Sequence, residues 1–170
     1  MTFDVAIRFR QPVALIDVRG EPECMKSVLM GLGIRLPVPP YSLLRWDSGT
    51  VYRVGRKWCI IMADMSTELD LIAELSELSR GVSIQCTCVT DSYQGIELTG
   101  PDTREVLSQI TPLNLHELED DCATFTEIFG FRGLIIRYSV GNFAVYCDRS
   151  YADYTMKRML KCALLQNNGN

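Results

Sequence analysis

Residues Gly95–Leu115, GIELTGPDTREVLSQITPLNL, decide how the rest of the chain is read. Ile96 and Leu98 alternate with Glu97 and Thr99, the period-two pattern of a half-buried strand. Gly100 ends the strand, and Pro101 and Asp102 then open a helix. Proline gives up no intrahelical bond in a first turn, and a carboxylate suits the positive end of a helix. Val106, Leu107 and Ile110 supply one apolar stripe, and Pro112 stops the helix. The stretch predicts a strand, a glycine corner and a short helix.

The same unit stands about eighty residues earlier. In ALIDVRG, Ala14–Gly20, the residues Ile16, Asp17, Val18 and Gly20 match Ile96, Glu97, Leu98 and Gly100. Glu21-Pro22-Glu23 and an apolar-striped segment follow, with a helix expected over Met25–Leu32 and broken by Gly31 and Gly33. Leu36-Pro37 closes this copy as Pro112-Leu113 closes the other. Downstream, Tyr52-Arg53-Val54-Gly55, then Trp58-Cys59-Ile60 and Asp64, is matched to Tyr138-Ser139-Val140-Gly141, then Phe143-Ala144-Val145 and Asp148. Two copies make a pseudo-symmetric domain, where a solenoid would need more.

Around these units the chain reads in order. Phe3–Arg10 alternates Val5, Ile7 and Phe9 with polar residues as a first strand, which Gln11-Pro12 turns into the second. LPVPP, residues 36–40, is a stiff connector, because each proline fixes its own φ and restricts its predecessor. A strand over Ser42–Trp46 and the hairpin Val51–Val54/Trp58–Met62 come next. Ser66 or Thr67 is expected to cap a helix to about Ser79, with Leu69, Ile72, Ala73, Leu75 and Leu78 inward. The second copy opens with a strand over Val82–Thr90. After the acidic loop His116–Cys122 come strands over Cys122–Ile128, Leu134–Val140 and Phe143–Cys147. A last helix capped by Ser150 is expected to bury Tyr151, Tyr154, Met159 and Leu160. The fold class is α+β: two pseudo-repeated strand–Gly–helix–hairpin–helix halves with mainly antiparallel sheets, in one domain over 1–166 sharing one core, with a frayed tail at 167–170.

Composition narrows the function. The chain has 170 residues, 47% of them hydrophobic, enough to build a core. A net charge of −4 argues against a nucleic-acid partner, which needs a basic face. No apolar run reaches membrane-span length, and MTFDVAIRFRQP has no secretory h-region, so the expectation is a cytoplasmic chain with no membrane partner. Seven cysteines, an odd and scattered set with no CxxC, read as small buried hydrophobes in a reducing compartment. Cys86 and Cys88 share a strand face but lack zinc-knuckle spacing. The lone His116 sits in the acidic HELEDD loop, which reads as a wet surface. Asp64 and Asp148 read as turn or cap residues. VRGEPE and LTGPDT supply no nucleotide-binding glycine pattern. No catalytic, cofactor-binding or metal-ligating residue is assigned.

Taken in order, ALIDVRG…LGIRLPVPP, Gly55…Trp58, IELTGPDTREVLSQITPLNL, CATFTEIFGFRGLIIR and FAVYCDRSYADYTMKRML resemble the gamma subunit of heterotetrameric sarcosine oxidase and its relatives, over nearly the whole chain. The resemblance implies a reduced form of the N-terminal module of the glycine-cleavage T-protein, an aminomethyltransferase. It implies an accessory subunit with no cofactor of its own. FAD, FMN, NAD, zinc and tetrahydrofolate would belong to its partners: larger flavin-containing alpha and beta subunits and a small zinc-binding delta subunit. Together these would demethylate an N-methyl amine oxidatively and pass the carbon to tetrahydrofolate. Gly55-Arg56-Lys57-Trp58-Cys59 is one residue shorter than the family's pattern, and sarcosine, N-methylglutamate, and dimethylglycine or another methylated amine all stay open as substrates. The alternative is a stand-alone folate-binding or one-carbon-transfer module. The segment Leu36–Trp46, with Tyr41, Leu43, Leu44, Arg45 and Trp46, is either a partner surface or cover for the core.

Overall fold

The computed structural model describes residues 3–38 and 40–164, so the expected tail at 167–170 lies outside the described residues, as does Pro39 of the connector. Among the described residues, ten strands and four α-helices follow in the order β1 (Ala6–Phe9), β2 (Ala14–Gly20), α1 (Pro22–Gly31), β3 (Leu43–Trp46), β4 (Gly49–Gly55), β5 (Trp58–Ala63), α2 (Glu68–Leu78), β6 (Ile84–Cys88), β7 (Tyr93–Thr99), α3 (Thr103–Ser108), β8 (Cys122–Ile128), β9 (Phe131–Ser139), β10 (Asn142–Asp148) and α4 (Ala152–Leu164). The chain divides into two units. One is Pro12–Thr90; the other joins the residues up to Gln11 to those from Asp91 onward. Each holds a five-stranded sheet whose pairings are all antiparallel.

The two sheets have one topology. Their orders are β6-β2-β5-β4-β3 and β1-β7-β10-β9-β8. Element by element, β2, α1, β3, β4, β5 and α2 are repeated as β7, α3, β8, β9, β10 and α4. The outermost strand is exchanged. β1 leads the first half in sequence but pairs with β7, Ile7 opposite Leu98, while β6 leads the second half and pairs with β2, Cys86 opposite Val18. Gln11-Pro12 leads from β1 into β2, as the sequence suggested, but the two strands belong to different sheets. Short-range patterning sees a turn but not which strand receives the unpaired backbone groups.

Each glycine corner makes room for the exchanged strand. A Cβ on Gly20 would lie 3.0 Å from the carbonyl oxygen of Ser83, the residue before β6. One on Gly100 would lie 2.3 Å from the oxygen of Asp4, just before β1. Gly100 also holds φ 141°, a conformation that side chains make costly. Asp102 adds a clamp: its carboxylate accepts from the Asp4 N–H at 2.7 Å, and its own N–H donates to the Asp4 carbonyl at 3.3 Å. Asp102 is the N-cap residue of α3, at the positive helix end where the sequence placed it, and its side chain is spent on Asp4 and makes no capping bond to the helix.

Strand register corrects the hairpin match. Ile16 and Val18 face Ile61 and Cys59; Ile96 and Leu98 face Val145 and Phe143. On the other side of each hairpin, Arg53 faces Cys59 and Arg137 faces Phe143. Arg53 is therefore the counterpart of Arg137, and Cys59 that of Phe143. The sequence match had followed the glycines, but Gly55 ends a strand, paired with Trp58, whereas Gly141 sits inside its turn at φ 71°. A slip of one residue would reverse every side chain across the sheet, so burial sets the register. Both arginines are buried, 8% and 7% exposed. Arg137 has its Nε 2.7 Å from Asp120 of the acidic loop and also donates to the Leu118 carbonyl.

Buried side chains form a cluster in each unit. Ile16, Val18, Val51, Cys59 and Ile61 pack with Met25, Val28 and Leu29 of α1 and Leu75 of α2. Their counterparts Ile96, Leu98, Ile135, Phe143 and Val145 pack with Val106 and Leu107 of α3 and Met159 of α4. Each such side chain contributes about 1.5–3 kcal/mol by leaving water. α1 begins at Pro22, earlier than expected, with proline in its first turn. On α2, Leu69 is 78% exposed and Ala73 is exposed too, while Leu71 packs on the core.

Candidate functional site

Reactive groups are either quenched by burial or dispersed. Among the described residues no three His, Cys, Asp or Glu side chains gather as a metal site. All seven cysteines are free. Burial pushes the Cys59 thiol up to about 12, and burial also raises Cys86, Cys122, Cys147 and Cys162. The thiolate, which is the nucleophile, is correspondingly scarce. Cys88 departs from the expectation of buried cysteines: it is exposed, with Sγ 3.5 Å from both Glu68 and Thr90. His116 is exposed on its loop, and its backbone N–H donates to Asn114 Oδ1.

Asp64 and Asp148 occupy equivalent positions and do the same work. Each accepts hydrogen bonds from the backbone N–H and the hydroxyl of the serine two residues on, Ser66 and Ser150. The serine hydroxyl and N–H hold each carboxyl below its usual range. Asp64 and Asp148 are thus the turn or cap residues the sequence suggested; Thr67 is the N-cap residue of α2, as expected, but makes no side-chain capping bond, and Ser66 and Ser150 donate to the aspartates. Both turns are structural.

The distinctive surface lies on α4 and the β8–β9 turn. The sequence expected Tyr151, Tyr154 and Leu160 in the core; all three are exposed. The buried face of α4 is instead Ala152, Thr155, Met159, Cys162 and Ala163, at helical spacing and with small side chains that admit close packing. That choice turns the neighbouring stripe outward. Phe131 stacks on Tyr151 at 4.2 Å between ring centroids and meets Tyr154 edge-on at 6.4 Å. Phe129, held at φ 50°, meets Tyr154 edge-on, and Arg158 lies 5.0 Å over the Phe129 ring. Exposed, mutually braced aromatics around an arginine are the residue types that carry interface energy, because their ordering cost is already met.

The proposed contact segment of the first half divides. Leu44 and Trp46 pack against the core of their unit and are cover for it. Tyr41 is exposed and adopts φ 69°.

Comparison with solved structures locates this architecture. A chain of heterotetrameric sarcosine oxidase from Corynebacterium sp. U-96 aligns over 96% of this chain and 87% of its own, with a TM-score of 0.80 and 16% identity. The fold is that of sarcosine oxidase and the aminomethyltransferases. Glycine cleavage system aminomethyltransferase T from Bartonella henselae aligns over 94% of this chain at a TM-score of 0.69 and 16% identity, but this chain spans only 46% of it. The regulatory subunit of aspartate kinase from Thermus thermophilus is more distant, at 0.53 and 12% identity, covering 95% of this chain and 99% of its own. At these identities the likeness is one of fold. No protein-family model matches the chain, and no curated protein does so significantly.

Proposed function

We propose that the chain is a non-catalytic accessory subunit of a multi-subunit, sarcosine oxidase-type flavoenzyme in the cytoplasm, in the position of a gamma subunit. The observation that carries this reading is the near end-to-end likeness to a chain of heterotetrameric sarcosine oxidase. Its partners are larger flavin-bearing subunits and a small zinc-binding subunit, which hold FAD, FMN, NAD, zinc and tetrahydrofolate and demethylate an N-methyl amine. The braced aromatics Phe131, Tyr151 and Tyr154 are its docking surface, being exposed here and of the composition that drives association.

The test is affinity capture of the tagged chain from native lysate, read by flavin absorbance and mass spectrometry. The wild type is expected to retain flavin-bearing subunits, and Phe131→Ala/Tyr154→Ala is expected to lose them while unfolding at nearly the same temperature. Recovery of no flavoprotein would overturn the accessory role. Equal recovery by the variant would move the interface elsewhere.

A second reading, a stand-alone folate-binding or one-carbon-transfer module, draws on the likeness to aminomethyltransferase T. It is the weaker, since this chain spans less than half of that protein. Titration of the isolated chain with tetrahydrofolate separates the two, because saturable micromolar binding favours the module.

A further inference from the structure

The two halves build the same buried arginine, and only one is neutralised. Arg137 has the Asp120 carboxylate at 2.7 Å. Its counterpart Arg53 spends Nη1 on the Pro37 carbonyl and Nη2 on the Arg56 carbonyl, each at 3.2 Å. Its Nε, like that of Arg137, is buried and makes no well-aligned hydrogen bond, so the difference between the two arginines is the carboxylate. Among the described residues no carboxylate lies within ion-pair distance of it. A guanidinium carries five N–H donors, so Arg53 keeps unused donors as well as an uncompensated charge. A buried charge without a partner is costly, and neutral carbonyls answer only part of that cost.

Arg53 lines a groove of about 540 Å³ beside α1, within the size range of small-molecule sites. Lys26 and Arg35 join it as cations, against the single carboxylate of Glu23, which is 4.0 Å from Lys26 Nζ. This local excess of positive charge stands on a chain whose net charge is −4. The remaining walls include Leu36 and the exposed side chains of Met30 and Val38. A bare inorganic anion would leave those aliphatic walls wet, and a neutral apolar molecule would leave the arginine unanswered.

We infer that this groove binds a small carboxylate on a short aliphatic body, with Arg53 as the partner of the carboxylate. The planar guanidinium fork matches a carboxylate in geometry as well as charge. Lys26 and Arg35 steer the anion in, and Met30, Leu36 and Val38 cover its tail. The inference is independent of the accessory-subunit reading, since it concerns a site within one unit of this chain.

Two-dimensional amide NMR of the full chain tests it with three probes: hexanoate, hexanol and inorganic phosphate. Hexanoate is expected to shift the amides of Lys26, Val38 and Arg53 saturably, at least about tenfold more tightly than either of the others. Arg53→Gln is expected to abolish the preference for hexanoate over hexanol. If that variant does not fold, Lys26→Ala/Arg35→Ala decides, because both side chains are exposed; it is expected to weaken hexanoate about fivefold or more by removing two cations from the groove. Equal binding of hexanoate and hexanol would overturn the inference, as would phosphate matching hexanoate, no saturation, or an unchanged hexanoate affinity in the double variant.

Discussion

Gly100→Ala is the sharpest test of the exchanged strand. The added Cβ would sit 2.3 Å from the Asp4 carbonyl oxygen and 2.9 Å from the Val5 Cα, both backbone atoms that no rotamer change can move. Asp4 cannot simply retreat, because the Asp102 carboxylate and backbone N–H hold it from the other side. Either the corner distorts or the lead-in to β1 detaches. Detachment loses a charge-assisted hydrogen bond, about 1.5–3 kcal/mol, and a backbone one, about 0.5–1.5 kcal/mol. The backbone conformation at φ 141° adds about 1–3 kcal/mol for any residue with a side chain. A loss of about 3 kcal/mol or more is expected, which in a chain of this length lowers Tm by about 6–12 °C. Gly81→Ala is the control: Gly81 also has positive φ, but an added Cβ would meet nothing within 4 Å. That variant is expected to lose only about 1 kcal/mol. The assay is urea unfolding, with amide hydrogen exchange in β1 as the local readout. Equal losses for the two variants, or β1 amides as protected in Gly100→Ala as in the wild type, would refute the argument that Gly100 exists to admit β1.

Two further outcomes follow from the ionisable groups. Disulfide exchange with an aromatic disulfide reagent at neutral pH is expected to label Cys88 first and leave Cys59 untouched until unfolding, since burial holds Cys59 as the thiol; Cys88→Ser should remove the fast phase. Asp64 and Asp148 have folded pKa values below their unfolded ones, so their contribution is present above the unfolded value, near the usual 3.8, and is lost as pH falls through the folded value. Asp64→Asn/Asp148→Asn should therefore flatten the acid limb of a stability-versus-pH curve, and an unchanged limb would show that the two turns do not contribute there.

Periodicity, turn chemistry and the repeat were legible in the residues themselves. Ile96 and Leu98 alternate as a strand, Gly20 and Gly100 end their strands, and Asp64 and Asp148 mark equivalent turns, all because local sterics and hydrogen bonding act within a few residues. The fold class read from these motifs, α+β with mainly antiparallel sheets, agrees with the structure and with its likeness in fold to a chain of sarcosine oxidase. What lay beyond reach were choices among locally equivalent options. A strand such as β1 has the same backbone donors toward either half, and the room at Gly100, the clamp at Asp102 and the packing of Val5 and Ile7 on the cluster around Leu98 assign it. α4 carries apolar residues on two adjoining stripes, and the small residues Ala152, Thr155 and Ala163 win the inward face because they let the helix approach its sheet. The same competition puts Phe131, Tyr151 and Tyr154 outside. Arg53 and Arg137 look unrelated until strand register pairs them. Whether each finds a carboxylate depends on where a distant loop folds: Asp120 reaches Arg137, and among the described residues none reaches Arg53. Sequence determined the elements and their repetition; long-range packing decided which face and which partner each received, since those energies exist only once distant segments meet.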